Sequence, residues 1–246
     1  MKKLLIDNKG KRQLVREGED LHTHGGVIKE ADLEKVGYSG QVKTHTGKTF
    51  YICDPTIVDF IEKMPKRAQI VYPKDASLVI GLTGISSGAH VVEAGIGVGG
   101  MTMMLARAVS PKGSITSYEI REDHIKEAKK NLEQAGLSKA VKVKNKSIYD
   151  GIDETELDLV FLDLPEPWLA SKHAANALKY GGFLVAYCPS IEQTKKFVTT
   201  LPKQFQEVRT IENLVRDWEV SAQRCRPMTR MIAHTGFITF ARKLKE

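Results

Sequence analysis

The segment His90-Val91-Val92-Glu93-Ala94-Gly95-Ile96-Gly97-Val98-Gly99-Gly100 constrains the fold most. In it an apolar run closes on an acidic residue and clustered glycines before a helical pattern begins. A strand that turns at once into a helix, with its backbone against a ligand, leaves no room for Cβ atoms. The segment therefore predicts a strand–loop–helix unit that holds a nucleotide-type cofactor. From about residue 75 onward strand and helix patterns alternate. Strands are expected at His90–Ala94, Ser114–Glu119, Val141–Asn145, Leu157–Leu162, Gly182–Tyr187, Gln206–Ile211 and Gly236–Ala241. Helices are expected at Asp75–Ile85, Gly99–Val109, Arg121–Gly136, Trp168–Leu178 and Ile191–Thr200. Such alternation builds an α/β sheet with helices on both faces. The last strand follows a long stretch without a strong crossover helix and is expected to run antiparallel.

Residues 1–50 differ in texture, being rich in glycine and charge with short alternating segments such as Leu14-Val15-Arg16 and Thr49-Phe50-Tyr51-Ile52-Cys53. They read as a small β module. Asp54-Pro55 and Met64-Pro65 bracket a short linking helix over Thr56–Lys63, which gives domains 1–65 and 66–246. No apolar run approaches the roughly 18 residues that span a bilayer, and charge interrupts Met1–Asp7 too early for a signal peptide, so a cytoplasmic protein is expected. Cys53, Cys188 and Cys225 show no metal spacing and read as core thiols. His22, His24 and His45 lack accompanying ligands and read as turn or hydrogen-bonding residues, so no metal is expected.

The glycine spacing is not the G-x-G-x-x-G of dinucleotide enzymes. The second strand ends in Ser117-Tyr118-Glu119, and a carboxylate at that strand end can accept from both ribose hydroxyls of a nucleoside cofactor. The alternative for Glu119 is a solvated strand-end residue. NAD enzymes share the ribose device, but this loop offers few free N–H groups to a pyrophosphate. A nucleoside cofactor without a pyrophosphate fits better.

Glu93-x-Gly95-x-Gly97-x-Gly99 resembles the signature of class I methyltransferases, which use S-adenosyl-L-methionine. The resemblance implies their Rossmann-like, seven-stranded, mostly parallel sheet. Leu162-Asp163-Leu164-Pro165-Glu166-Pro167-Trp168 resembles the Asp-Leu-Pro-x-Pro loop of the tRNA adenine-N1 methyltransferases that modify T-loop position 58 and, in archaeal members, position 57. Val71–Ala76, Gly181–Tyr187, His234–Phe240 and the opening His22–Ile28 also match that family, in order, so the likeness runs from about residue 15 to 243.

By this resemblance the methyl donor is held by Glu93, Gly95, Gly97, Val98, Gly99, Gly100, Glu119, Ile120, Ser147 and Ile148, with Asp163 at its reactive end. Asp163 and Tyr72 are the catalytic candidates. Tyr72, Pro165, Trp168, Arg224, Arg226, Arg230 and His234 are the candidates for substrate binding. The family also implies a homotetramer, a dimer of dimers, that binds tRNA. Ser147 departs from the family, which has an acidic residue there for the cofactor adenine amine; a hydroxyl gives a weaker, neutral partner, and Asp150 is a candidate substitute.

The chemistry follows from the nucleobase itself. Adenine N1 has an in-plane lone pair and needs no strong base, but the product is cationic. A carboxylate accepting from the exocyclic amine stabilises the growing charge, and Asp163 is placed for that role. Otherwise Asp163 is a turn-forming residue before Leu-Pro, and by spacing alone Tyr72 is a core residue. The net charge of +7 is concentrated late: residues 164–246 carry 13 basic and 7 acidic side chains, with Arg216, Arg224, Arg226 and Arg230 close together. That suits a polyanion, or a solvated basic face. Two other functions compete: a protein carboxylate methyltransferase of the isoaspartyl type, and a non-catalytic RNA-binding subunit with a degenerate fold. Intact Glu93, Glu119 and Asp163 argue against degeneracy.

Overall fold

The structure, a computed structural model of the chain, describes residues 2–16, 18–36, 40–64 and 70–245. The chain forms two compact units, residues 1–67 with 133–136, and residues 68–132 with 137–246. The expected domain boundary at residue 65 lies outside the described residues.

In the first unit, β1 (Lys2–Asp7), β2 (Arg12–Arg16), β5 (Gly40–Lys43) and β6 (Thr49–Cys53) form an antiparallel sheet in the order β2-β1-β6-β5. A separate hairpin joins β3 (Leu21–Thr23) to β4 (Gly26–Ile28). Leu5, Val15, Ile28, Leu33, Val42, Phe50 and Ile52 make the core. Helix α1 (Glu30–Val36) was not expected, because Leu33 is its only buried residue and no apolar stripe announces it. Helix α2 (Ile57–Lys63) begins where Thr56 and Asp59 cap each other: Asp59 Oδ2 accepts from the Thr56 N–H at 2.9 Å, and Thr56 Oγ1 accepts from the Asp59 N–H at 3.3 Å. Such caps contribute about 1 kcal/mol.

The second unit runs α3 (Pro73–Thr83), β7 (His90–Ala94), α4 (Gly100–Val109), β8 (Ser114–Glu119), α5 (Glu122–Gln134), β9 (Val141–Asn145), β10 (Leu157–Leu162), α6 (Ser171–Ala177), β11 (Leu178–Cys188), α7 (Ile191–Thr199), β12 (Phe205–Glu212), β13 (Trp218–Val220), β14 (Cys225–Pro227) and β15 (Phe237–Lys243). Seven of these strands form one sheet in the order β12-β15-β11-β10-β7-β8-β9. It is parallel except for β15, which runs antiparallel to both β11 and β12. The expected seven strands and the reversed last strand are therefore present. β7 and β10 are buried at consecutive positions, as central strands covered on both faces must be.

Several boundaries moved for local reasons. Helix α3 starts at Pro73, because a proline fits the first helical position without losing a needed N–H, and it ends at Gly84 in the left-handed region. The helix expected at Trp168–Leu178 is a 3-10 turn, Pro167–Ala170, followed by α6, and β11 begins at Leu178, four residues early. Between β12 and β15, residues 213–236 form an arm that carries the β13–β14 hairpin. Its side chains Leu214, Val215, Trp218, Val220, Met228, Met231 and Ile232 are exposed. Among the described residues no helix is long and apolar enough to cross a membrane.

Candidate active site

Parallel strands deliver their carboxyl ends to one rim of the sheet, and ligands of such folds bind outside that rim. There β7 ends in the glycine loop, β8 in Glu119 and β10 in Asp163. The chain closes the rim itself: the Asp163 N–H donates to the Ala94 carbonyl at 2.5 Å, and the Gly95 N–H donates to the Asp163 carbonyl at 3.2 Å. Gly99 starts α4 at φ +90°, a conformation that disfavours any Cβ. Buried Asn131 donates to the Val98 carbonyl at 3.0 Å and fixes the middle of the loop.

Glu93 is fully buried. Its Oε2 accepts from Thr102 Oγ1 and from Ser117 Oγ, each at 2.6 Å. Its Oε1 has no hydrogen-bond partner among the described residues. Burial pushes the carboxyl up to about 7; the two hydroxyls oppose that rise, and the charges of Asp163 and Glu119 add to it. Glu119 sits differently. Its Oε1 accepts from the N–H groups of Ile120 and Arg121 at 2.9 and 3.0 Å, whereas Oε2 has two long contacts, the Gly97 N–H and His124 Nδ1, both at 3.4 Å.

These features fit S-adenosyl-L-methionine. The orphaned Glu93 oxygen suits its ammonium, and the loosely engaged Glu119 Oε2 suits its ribose hydroxyls. A Cβ on Gly95 would stand 3.1 Å from Glu119 Oε2, in the space such a ligand would use. Ile120 is an apolar side chain left 65% exposed beside Glu119, and Ile148 is buried next in sequence to Ser147. Ser147 caps a 3-10 turn by accepting from the Tyr149 N–H at 3.2 Å, which leaves its O–H free to donate. Asp150 is exposed.

Among the described residues Asp163 is held by its backbone alone, and burial pushes its carboxyl up to about 7. Tyr187 lies among Asp163, Asp75 and Tyr72; burial holds its phenol above the ordinary range, and its O–H donates to the Thr235 carbonyl at 2.5 Å. Gly236 backs this ring, because a Cβ there would overlap it. Tyr72 is half-buried and caps α3, next to Lys74. Lys74 Nζ donates to Asp75 Oδ1 at 2.8 Å, to Thr235 Oγ1 at 2.7 Å and to the Asn213 carbonyl at 2.6 Å. Thr235 Oγ1 donates in turn to Asp75 Oδ2 at 2.7 Å. Tyr187, Lys74, Asp75 and Thr235 were not singled out from the sequence, although the Val71–Ala76 and His234–Phe240 segments contain three of them.

The remaining candidates spread out. Pro165 is exposed, with its carbonyl held by Gln193 Nε2 at 3.0 Å. Trp168 packs against the core of the second unit, and one face of its ring lies 4.0 Å from Lys196 Nζ. Arg224 and Arg226 both pair with Glu219 across the hairpin, at 3.1 and 3.0 Å, and Arg230 is exposed on the arm. His234 has Glu212 Oε1 at 2.7 Å from Nδ1 and the Pro189 carbonyl at 2.9 Å from Nε2. Two acceptors call for two N–H donors, so both contacts raise its pKa and favour the imidazolium. Cys188 is buried but Cys225 is exposed on the hairpin, which corrects the expectation that all three thiols lie in the core. The His45 ring accepts from the Val27 N–H at 2.9 Å, and His24 faces Lys11 and Lys48, whose charges hold it below the usual histidine range. Among the described residues no cluster of side chains is placed to hold a metal ion.

The profile of a family described as tRNA methyltransferase complex GCD14 subunit matches residues 48–226. The chain belongs to this family. A family relative from Methanocaldococcus jannaschii, the tRNA (adenine(57)-N(1)/adenine(58)-N(1))-methyltransferase TrmI, is 37% identical over 98% of this chain and 94% of its own length. A Thermus thermophilus tRNA (adenine(58)-N(1))-methyltransferase TrmI is 37% identical over 98% of this chain and 96% of its own. Among solved structures, a Thermotoga maritima protein described as a SAM-dependent O-methyltransferase superposes with a TM-score of 0.94 at 35% identity, over all of this chain and 93% of that one. The Aquifex aeolicus tRNA (m1A58) methyltransferase TrmI superposes at 0.85 with 26% identity, over all of this chain and 98% of that one. The fold of this GCD14-family chain is that of the class I methyltransferases, and its cofactor is S-adenosyl-L-methionine.

Proposed function

We propose that this protein transfers a methyl group from S-adenosyl-L-methionine to N1 of adenine 58 in the T-loop of tRNA, and to adenine 57 as its archaeal relative's name describes. The observation that carries this reading is the half-buried Asp163 carboxylate, unpaired among the described residues, beside the glycine loop, with Tyr187 near both it and Tyr72. The bound cofactor supplies an electrophilic methyl group. Asp163 accepts from the exocyclic amine of the adenine, orients N1 for in-line attack, and stabilises positive charge as it grows on the base. Tyr72 stacks on or caps the base, which must be turned out of the folded RNA before it can react. His234 and the arm arginines hold the distorted RNA by charge.

The protein acts in the cytoplasm as a homotetramer. Seven large apolar side chains exposed on one arm favour a partner surface over solvent. Light scattering after gel filtration tests this: a four-chain mass supports it, and a monomer overturns it. The description of the Thermotoga relative favours a second reading, methylation at oxygen. A carboxylate beside the acceptor would repel a carboxylate substrate, which counts against the isoaspartyl version. One assay separates the readings. The protein is incubated with labelled S-adenosyl-L-methionine and either an unmodified tRNA transcript, the same transcript with guanine at position 58, or an isoaspartyl peptide. 1-Methyladenosine in the first and its loss at position 58 in the second support the proposal. Label in the peptide alone favours oxygen transfer, and tRNA binding without label indicates a non-catalytic subunit.

A further inference from the structure

Buried carboxylates rarely leave an oxygen unpaired, because an unsatisfied charged acceptor carries a large desolvation penalty. Glu93 does so beside a ligand loop. Both of its hydrogen bonds converge on Oε2, from Thr102 on α4 and Ser117 on β8, while Oε1 stays buried and empty-handed among the described residues. No basic side chain among them pairs with the carboxyl. The charged groups acting on it are Glu119, at the end of β8, and Asp163, after β10, and both repel its negative form. Its surroundings are therefore built for a cation that the chain does not itself provide.

We infer that Thr102 and Ser117 are positioning residues for the methyl donor: by donating to one oxygen of Glu93, they fix the carboxylate so that the other oxygen is reserved for the donor's ammonium group. This rests on the cofactor assignment above. The two hydroxyls have a second effect, because hydrogen bonds to the ionised form oppose the rise that burial and two like charges impose, so that a substantial share of Glu93 is ionised near pH 7. Thr102 contributes through its hydroxyl, so serine at this position preserves the function and the isosteric valine removes it.

Two ligands isolate the effect. S-adenosylhomocysteine carries the amino-acid ammonium, whereas 5′-methylthioadenosine shares its nucleoside and thioether but lacks that group. Calorimetric titration of the full-length wild type, Thr102→Val, Ser117→Ala, the double variant and Thr102→Ser is the test. At pH 7 the double variant is expected to lose about tenfold or more in S-adenosylhomocysteine affinity, the scale of lost hydrogen bonds to a charged group, and to bind methylthioadenosine like the wild type. Raising the pH to about 8.5 should restore much of that loss, because a further raised Glu93 then ionises. Thr102→Ser should match the wild type. Equal weakening of both ligands, as from a general packing defect, would overturn the inference, and so would unchanged affinity in the double variant. A wild type that binds both ligands equally would remove Glu93 from ammonium recognition, and one that binds neither would sink the cofactor assignment along with it. Circular dichroism melts identify a variant that fails to fold; Ser117→Ala alone, the smaller change, then carries the same comparison.

Discussion

At the end of β7 the Glu93 carboxylate is buried and held by two hydroxyls, and after β10 the half-buried Asp163 is held by its backbone. On the arm at residues 213–236, Trp218, Val220 and Ile232 face outward and Arg224 and Arg226 share one acidic partner, Glu219. The strand-end carboxylates thus store electrostatic cost internally, whereas the arm leaves apolar side chains in solvent and pairs two of its arginines with one glutamate. The difference teaches that the strand-end loop is hydrogen-bonded within the chain, whereas the arm leaves its apolar side chains without a cover among the described residues.

The sharpest break of this contrast is Asp163→Ala. It should lower 1-methyladenosine formation by about 100-fold or more, the scale of losing one transition-state contact, while S-adenosylhomocysteine affinity stays within a few-fold; nucleoside analysis and calorimetry read the two. A variant as active as the wild type would remove Asp163 from the chemistry.

The stored cost has its own signature. Glu93 and Asp163 both titrate near 7 in the folded protein, above ordinary values of 4.5 and 3.8. The native state therefore binds more protons than the unfolded chain in that window, and ligand-free stability falls as pH rises from about 4 through 7. Asp163→Asn should raise stability at pH 8 by on the order of 1–3 kcal/mol and flatten that fall in urea titrations. A ligand-free wild type equally stable at pH 5 and pH 8 would contradict it.

On the arm, Trp218→Ser with Val220→Asp should reduce the assembly in light scattering and raise the KM for tRNA by about tenfold, as expected for a lost interface anchor, without changing S-adenosylhomocysteine affinity. Replacing Arg230 by alanine should lower the slope of log affinity for tRNA against log salt by about one. The smallest effect belongs to His234→Gln, a few-fold in KM for tRNA by analogy with single rim contacts. Because the His234 pKa is raised, its contribution is complete below the ordinary histidine range and is lost as pH rises through the raised value. A KM ratio between wild type and variant that does not narrow at high pH would break this last link.

Legibility in the sequence follows the same division. The glycine loop, the seven strands and the carboxylates at the strand ends are written locally, because a turn that excludes Cβ atoms and a run of buried β-formers each leave a short-range pattern. The Thr235–Asp75 contact joins residues 160 positions apart, and no window along the chain contains both. Tyr187 is likewise an ordinary strand residue until Gly236 and Thr235 are folded against it. The β13–β14 hairpin escaped because its strands are three residues each and its apolar side chains face outward, so no buried face imposes a period. Trp168 shows the converse: an aromatic after a loop resembling a base-binding motif packs on the core and beneath a lysine.

The reversal of β15 has a consequence for how such a chain can change. β12 runs with the parallel strands and β15 runs back beside it, so residues 213–236 leave and re-enter the sheet between two hydrogen-bonded neighbours, at the rim where ligands bind. With its ends already held together, the arm can grow or shrink at a closure cost of only about 0.6 kcal/mol per doubling of length. The sheet would not register the change. The arm is in this sense a detachable part of the molecule, whose length can change while the glycine loop stays put.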